Sequence, residues 1–390
     1  MNRPIASAAA CLCLAWLLPS PATVRADDDG RWLLGADSFF YSDSDNVLVW
    51  TSQALAKRQL DRDGSEVSAR AVVDVVSAAS VDVVSHATTG FDEVRLEGNL
   101  AAALRFGELL PALHYRVSRE PDYESHGFGG GLSARLGSAD SVGSVDYTVT
   151  LDTVGRTDTP RALFSEHLQS HAAEVGLSQN LDQRTVLRGA YTMTLQQGYL
   201  EKPYRFVPIF ARADVLQAQS DGVELGLHSF ERYYSVGRPA ESVPDSRLRH
   251  ALGLRLLRYL DSIDGSLRLD YRFYIDDWLL QAHTLEAALQ QPLGEDLELA
   301  VFVRGYGQSG ASFWERVYVV DDAETLPRHR TLDRKLSPYG SLTTGARMEL
   351  RLGPLDGYLD LRAMATHFFD YLLLSDRIAL ISQLGVSWTP

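Results

Sequence analysis

The sequence predicts an all-β fold, a transmembrane antiparallel β-barrel of about 16 strands (roughly 14–18). Three observations carry that expectation. Apolar and polar residues alternate with period two almost throughout the 390 residues. Connections between the alternating runs are short and long by turns. Charged side chains occupy one face of nearly every run, more than a soluble sandwich could bury, whereas a wet interior can hold them.

The first segment differs. Arg3 gives a positive start, Ile5 to Leu18 form an apolar run, and Val24-Arg25-Ala26 precedes Asp27-Asp28-Asp29. This pattern predicts a signal peptide over 1–26 with cleavage after Ala26, leaving 27–390 as the barrel. Cys11 and Cys13, the two cysteines of the chain, fall inside that segment, so a disulfide framework, thiol nucleophile or cysteine metal site is not expected afterwards. The formal charge is −14; loss of Arg3 and Arg25 leaves 35 basic against 51 acidic residues, near −16. That balance argues against nucleic acid as a partner.

The elements follow in order. "RWLLGADSFFY" (31–41) supplies a first strand, followed by alternation over 67–76 and "VRLEGNLAAALRF" (94–106). Further runs cover 145–152, 186–195, 247–260, "LRLDYRFYI" (267–275), 297–306, "ARMELRL" (346–352), 355–366 and 378–388. Tight turns are expected at Asp61–Gly64, Gly107–Glu108, Gly137–Ser141, Asn180–Gln183, Asp261–Gly265, Pro292–Glu295 and Gly353–Leu355. Longer segments lie near 76–90, 153–167, 197–244 and 311–336. Outer-membrane barrels pair short periplasmic turns with long outside loops, so 197–244 and 311–336 are expected outside. Tyr259, Trp278 and Trp388 fall near strand ends, where aromatic belts belong.

Parity sends many charges inward. The expected lining includes Arg247, Arg249, Arg255, Arg268, Asp270, Arg272, Glu298, Arg304, Arg347, Glu349, Arg351 and Arg362, with Arg70, Arg95 and Arg188 on earlier strands. Arginines outnumber acids there, although the chain as a whole is acidic. Guanidinium groups stay charged and favour anions in a pore.

The final strand carries the pattern polar, any, glycine, hydrophobic, any, hydrophobic as Gln383, Leu384, Gly385, Val386, Ser387 and Trp388. It resembles the assembly signal of outer-membrane proteins and implies the barrel-assembly machinery as a partner, with outer-membrane lipid and lipopolysaccharide around the folded wall. Thr389 and Pro390 run past the usual terminal aromatic. The stretches "VVDVVSAASVDVVSHAT" (72–88), "GYLEKPYRFVPIF" (198–210), "VPDSRLRHALGLRL" (243–256) and "LDYRFYIDDWLLQAHT" (269–284) resemble the bacterial outer-membrane family catalogued as domain of unknown function number 3570. The resemblance spans nearly the whole mature chain. It implies a barrel location and an envelope redox setting, and brings no binding residues with it.

Other constellations carry less. The echo Val-Asp-Val-Val-Ser, with Asp74 and Asp82 equivalent, reads as a rim loop that packs closely or binds a solute. Glu166, His167, His171 and Glu174 would suit zinc on a helix, but they read as a loop entering a strand. His250, on the lipid-facing parity of its strand with Ser246 nearby, offers a conceivable pair for a barrel hydrolase. The sequence thus points to a Gram-negative outer-membrane barrel, not an enzyme, without cofactor or metal, forming a channel or porin-like passage for small solutes, anions favoured. A sealed barrel scaffolding an envelope complex, redox-related or not, and a barrel hydrolase stay open as alternatives.

Overall fold

The computed structural model describes residues 30–78, 91–137, 140–227, 229–233, 236–321 and 325–390. The predicted signal segment 1–26, with its Ala26 cleavage point, lies outside them. Sixteen strands close into one antiparallel barrel. The first nine are β1 (Trp32–Asp43), β2 (Val47–Gln59), β3 (Glu66–Ala78), β4 (Phe91–Ala103), β5 (Leu109–Arg119), β6 (Tyr123–Arg135), β7 (Ser141–Val154), β8 (Glu166–Asp182) and β9 (Thr185–Gly198). After a short β10 (Ile209–Ala211) come β11 (Ser246–Leu260), β12 (Gly265–Asp276), β13 (Gln281–Pro292) and β14 (Leu297–Gln308). A second short strand, β15 (Tyr318–Val320), precedes β16 (Tyr339–Leu352), β17 (Leu355–Phe368) and β18 (Asp376–Trp388).

Each wall strand has 11 to 17 residues, enough to cross a bilayer at a tilt. Closure is made by β1 on β18, with Leu34 opposite Trp388 and Asp43 opposite Ala379. No wall strand is left as an edge, so backbone N–H and C=O groups are paired around the girth. The outward parity is apolar and uncovered: Leu113 is 72% exposed and Leu380 62%. Rows of this kind on many strands would aggregate in water, and they match hydrocarbon instead.

Seven wall connections at one end are short, and that end also carries the start of β1 and the end of β18. Gly353 shows why they can be tight. It takes φ 63° as the first central residue of a two-residue hairpin turn completed by Pro354, a geometry that a side chain would strain. The opposite end carries the long connections 199–245 and 309–338. Three of its links are also short: 44–46, 120–122 and 277–280.

Several expectations need correction. The first Val-Asp-Val-Val-Ser copy is not a loop: it lies within β3, and Asp74 accepts from Thr51 and Arg95. The second copy lies outside the described residues. Segment 166–174 is strand from its first residue, so His167 and His171 face outward while Glu166 and Glu174 face inward. That alternation parts the four groups and removes the zinc arrangement. Trp278 is not in a lipid belt either. It is buried, its indole Nε1–H donating to the Ser246 carbonyl at 3.0 Å.

Candidate functional site

Two features converge on the interior. The first is a row of charge around the girth, formed because adjacent antiparallel strands place inward residues directly opposite one another. Across β9, β11, β12, β13, β14 and β16 the register reads Arg188, Arg255, Asp270, Glu286, Arg304 and Thr343. Arg255 donates to Asp270 through Nε at 2.5 Å. Arg268, one step along β12, reaches Asp270 at 3.0 Å and also pairs with Glu286. Arg188, Arg272 and Arg304 have no ion-pair partner among the described residues. Five guanidinium groups therefore share two carboxylates in this band. Arg188 is solvent-exposed on the inward parity, which places its charge in contact with water.

The other predicted lining residues lie above and below this band. Arg247 donates to Asp276 at 2.9 Å through Nε and stacks 4.2 Å over the Trp278 ring. Arg249 stands opposite Asp276 across β11 and β12. Arg347 donates to Glu349 at 2.6 Å, and Arg362 to Asp360 at 2.7 Å. Arg351 is 3.9 Å from Glu298, and both are closer to the short-turn end. These pairs hold most of the named arginines against carboxylates. Glu286 and Asp276 were missed at the sequence level. "QAHTLEAALQQP" does alternate, with His283, Leu285, Ala287 and Leu289 on one face, but its alanines obscure the pattern.

The second feature is a folded cap at the long-loop end. Connections 199–245 and 309–338 meet through β10 and β15, which pair in parallel with Ile209 opposite Tyr318 and Ala211 opposite Val320. Val207, Ile209 and Phe210 are fully buried there, in a core with Phe230, Trp314 and Leu332. The core continues onto Trp278, Leu280 and Phe368 at the rim of the wall. A nine-residue helix, α1 (Arg212–Ser220), follows β10. Asp214 turns back to accept from the Ala211 N–H at 3.2 Å, and Gly222, φ 68°, ends the turn beyond it. Beneath the core, Arg205 reaches Glu241 at 3.2 Å and Asp333 at 2.8 Å, and Thr331 also donates to Glu241. Burial would raise the Asp333 carboxyl, but Arg205, Lys335 and Lys202 hold it well below the usual range. Burial lowers Lys202 to about 8, with Arg205 adding to the effect.

The outward face carries a third pattern. Tyr115 Oη lies 2.9 Å from His126 Nδ1, Tyr147 2.6 Å from His171, Tyr191 2.7 Å from His250 and Tyr271 2.8 Å from His283. In each pair the histidine stands opposite the residue two beyond the tyrosine. The four pairs occupy β5 to β13, half of the wall. His250 is thus engaged by Tyr191, and the Ser246 carbonyl is taken up by Trp278.

A closed sixteen-strand barrel, apolar outside and charged inside, is an outer-membrane β-barrel protein, and its wall lies in the lipid of that membrane. The chain belongs to the family described as "Protein of unknown function (DUF3570)", whose model matches residues 82–357. No curated protein matches it in sequence. Among solved structures it is similar to CdiB from Acinetobacter baumannii, with 9% identity and TM-score 0.51 over 92% of this chain and 60% of that one. The chain therefore spans three-fifths of CdiB. A bacterial polysaccharide outer membrane secretin aligns with 6% identity and TM-score 0.49, covering 93% of this chain and 98% of that one. OccK11 (OpdR) of Pseudomonas aeruginosa aligns with 10% identity and TM-score 0.43, covering 94% and 99%. At such identities the likeness is one of fold.

Proposed function

We propose that this protein is an outer-membrane passage for small solutes, preferring anions and narrowed at the long-loop end by its folded cap. The observation that carries this reading is the girth band, where Arg188, Arg272 and Arg304 keep charges that no carboxylate neutralises among the described residues. Such groups favour anions at close quarters, and their field is strengthened by the low-dielectric wall. The residues named above as lining, from Arg247 to Arg362, form the sides of that passage. Connections 199–245 and 309–338 lie outside the cell, and Gln383, Gly385, Val386 and Trp388 act as the assembly signal. Replacing Trp388 with Asp would place a charge on the lipid face and block insertion.

A sealed barrel serving as a scaffold is the second reading, favoured by the cap's own buried core and by the ion pairs of Arg247, Arg255, Arg347 and Arg362. Reconstitution in planar bilayers separates the two. Conductance with an anion-selective reversal potential across a salt gradient supports the passage. Absence of conductance from correctly folded protein supports the scaffold and defeats the first reading.

A further inference from the structure

At the long-loop rim three carboxylates crowd together. Glu93 is the third residue of β4, and Glu120 and Asp122 flank Pro121 in the link between β5 and β6. Each offers an oxygen, and the three oxygens lie within 4.8 Å of one another. Glu93 is only 5% exposed and Asp122 3%. Crowding of this kind costs free energy unless positive charge or protons compensate.

The groups around them leave that compensation incomplete. Glu93 Oε1 and Asp122 Oδ1 are buried and accept no hydrogen bond among the described residues. Arg95, the basic residue nearest in sequence, donates to Asp74, and its charge also acts on Glu93 and Glu120. Lys202 adds a second positive charge that acts on the same two carboxyls, leaving three crowded acids against two cations, one of which also serves Asp74. The second oxygen of Asp122 is held in place: Tyr204 Oη donates to Oδ2 at 2.6 Å and itself accepts from the Thr157 N–H at 2.6 Å. The Asp122 carbonyl also accepts from the Gly155 N–H. One carboxylate oxygen is thus oriented by its neighbours while the other is left toward the cluster, as outer-shell hydrogen bonds orient a metal ligand.

We propose that Glu93, Glu120 and Asp122 bind a single hard divalent cation, Ca²⁺ by preference, at the rim of the barrel. The donor set is all oxygen, which excludes the softer metals that seek thiolate or imidazole. Ca²⁺ accepts irregular geometry and completes its shell with water, so three carboxylates on a wall strand and one link suffice. Its position has a structural consequence. Tyr204 belongs to connection 199–245, so an ion held by Asp122 ties the first part of the cap to β4 and to the link between β5 and β6. This inference does not rest on the proposed passage and holds equally for a sealed barrel.

Calcium titrated calorimetrically into folded, chelator-stripped protein in detergent tests it. The expected result is one saturable site, with Glu93→Gln and Asp122→Asn each weakening it by about tenfold or more. Glu108→Gln, an exposed acid at the short-turn end, should bind as the parent does. Folding of every variant is checked by the mobility difference between unheated and boiled samples. If Glu93→Gln fails that check, Glu120→Gln, at a less buried position, takes its place and should show the same loss. Absence of saturable binding to folded parent protein, or parent-like binding by the folded variants, overturns the proposal.

Discussion

Arg255 and Asp270 face each other across β11 and β12 with Nε and Oδ1 2.5 Å apart, while Arg188, on the other side of Arg255, has no carboxylate at all among the described residues. A neutralised arginine thus stands directly opposite one with no carboxylate among the described residues, and the two kinds should differ in what they contribute. Changing Arg272 and Arg304 together to Gln removes unpaired charge and should shift the reversal potential away from anions. Changing Arg255 to Gln strips Asp270 of one of its two guanidinium partners, since Arg268 remains. It should shift selectivity in the same direction and also destabilise the wall by about 1–3 kcal/mol. Bilayer recordings and thermal unfolding read the two effects separately; unchanged selectivity in the Arg272/Arg304 variant contradicts the proposed passage.

The cap depends on Phe210, fully buried between the two connections. Phe210→Ala leaves a cavity, and substitutions of this kind cost about 3–5 kcal/mol. Because β10 pairs with β15 rather than with a wall strand, the loss should stay local. Limited proteolysis should cut within 199–245 much faster in the variant, while the heat-dependent gel mobility of the barrel is kept. Collapse of the whole barrel would mean that cap and wall fold as one unit.

The Tyr–His pairs mark a depth. On β11, His250 is followed outward-parity by Leu252, Leu254 and Leu256, with Ser246 and Leu248 before it. His250 therefore lies at the upper margin of the apolar band and Leu254 within it. Both cysteines of the chain fall in the predicted signal, so a single introduced cysteine can carry a polarity-sensitive dye. In lipid vesicles the dye at Leu254→Cys should report hydrocarbon and at His250→Cys a wetter interface. Equal environments would contradict the assignment of this height to the interface.

The acidic rim should make stability depend on pH. Burial raises the Glu120 carboxyl from 4.5 to about 7, with Asp122 and Asp74 adding to the rise and Arg95 and Lys202 opposing it. A carboxyl raised in the folded state binds a proton that the unfolded chain has already released. Its stabilising contribution is complete below about pH 4.5 and is lost as pH rises through about 7. In chelator, the unfolding midpoint should fall between those limits, and Glu120→Gln should flatten the slope. Calcium added at the alkaline end should restore the midpoint in the parent. A midpoint that rises over the same interval would refute the sign.

The wall was legible in the sequence because a barrel strand repeats every two residues. "LRLDYRFYI" assigns Leu267 and Tyr271 outward and Arg268, Asp270 and Arg272 inward with no knowledge of any neighbour, and β12 carries them that way. The same rule made the strand number and the location in the outer membrane accessible. It could not say which arginine meets which acid, since pairing is set by register between strands: Arg255 finds Asp270, whereas Arg304 stands between Glu286 and Thr343 and keeps its charge. Nor could it find the cap, whose core is assembled from Phe210, Trp314, Leu332 and Phe368, residues far apart in the chain with no shared period. Trp278 shows the limit most directly. Its place near a strand end suggested a lipid belt, and only the two long connections folding over it decided that it would be buried, because burial depends on what else arrives in space.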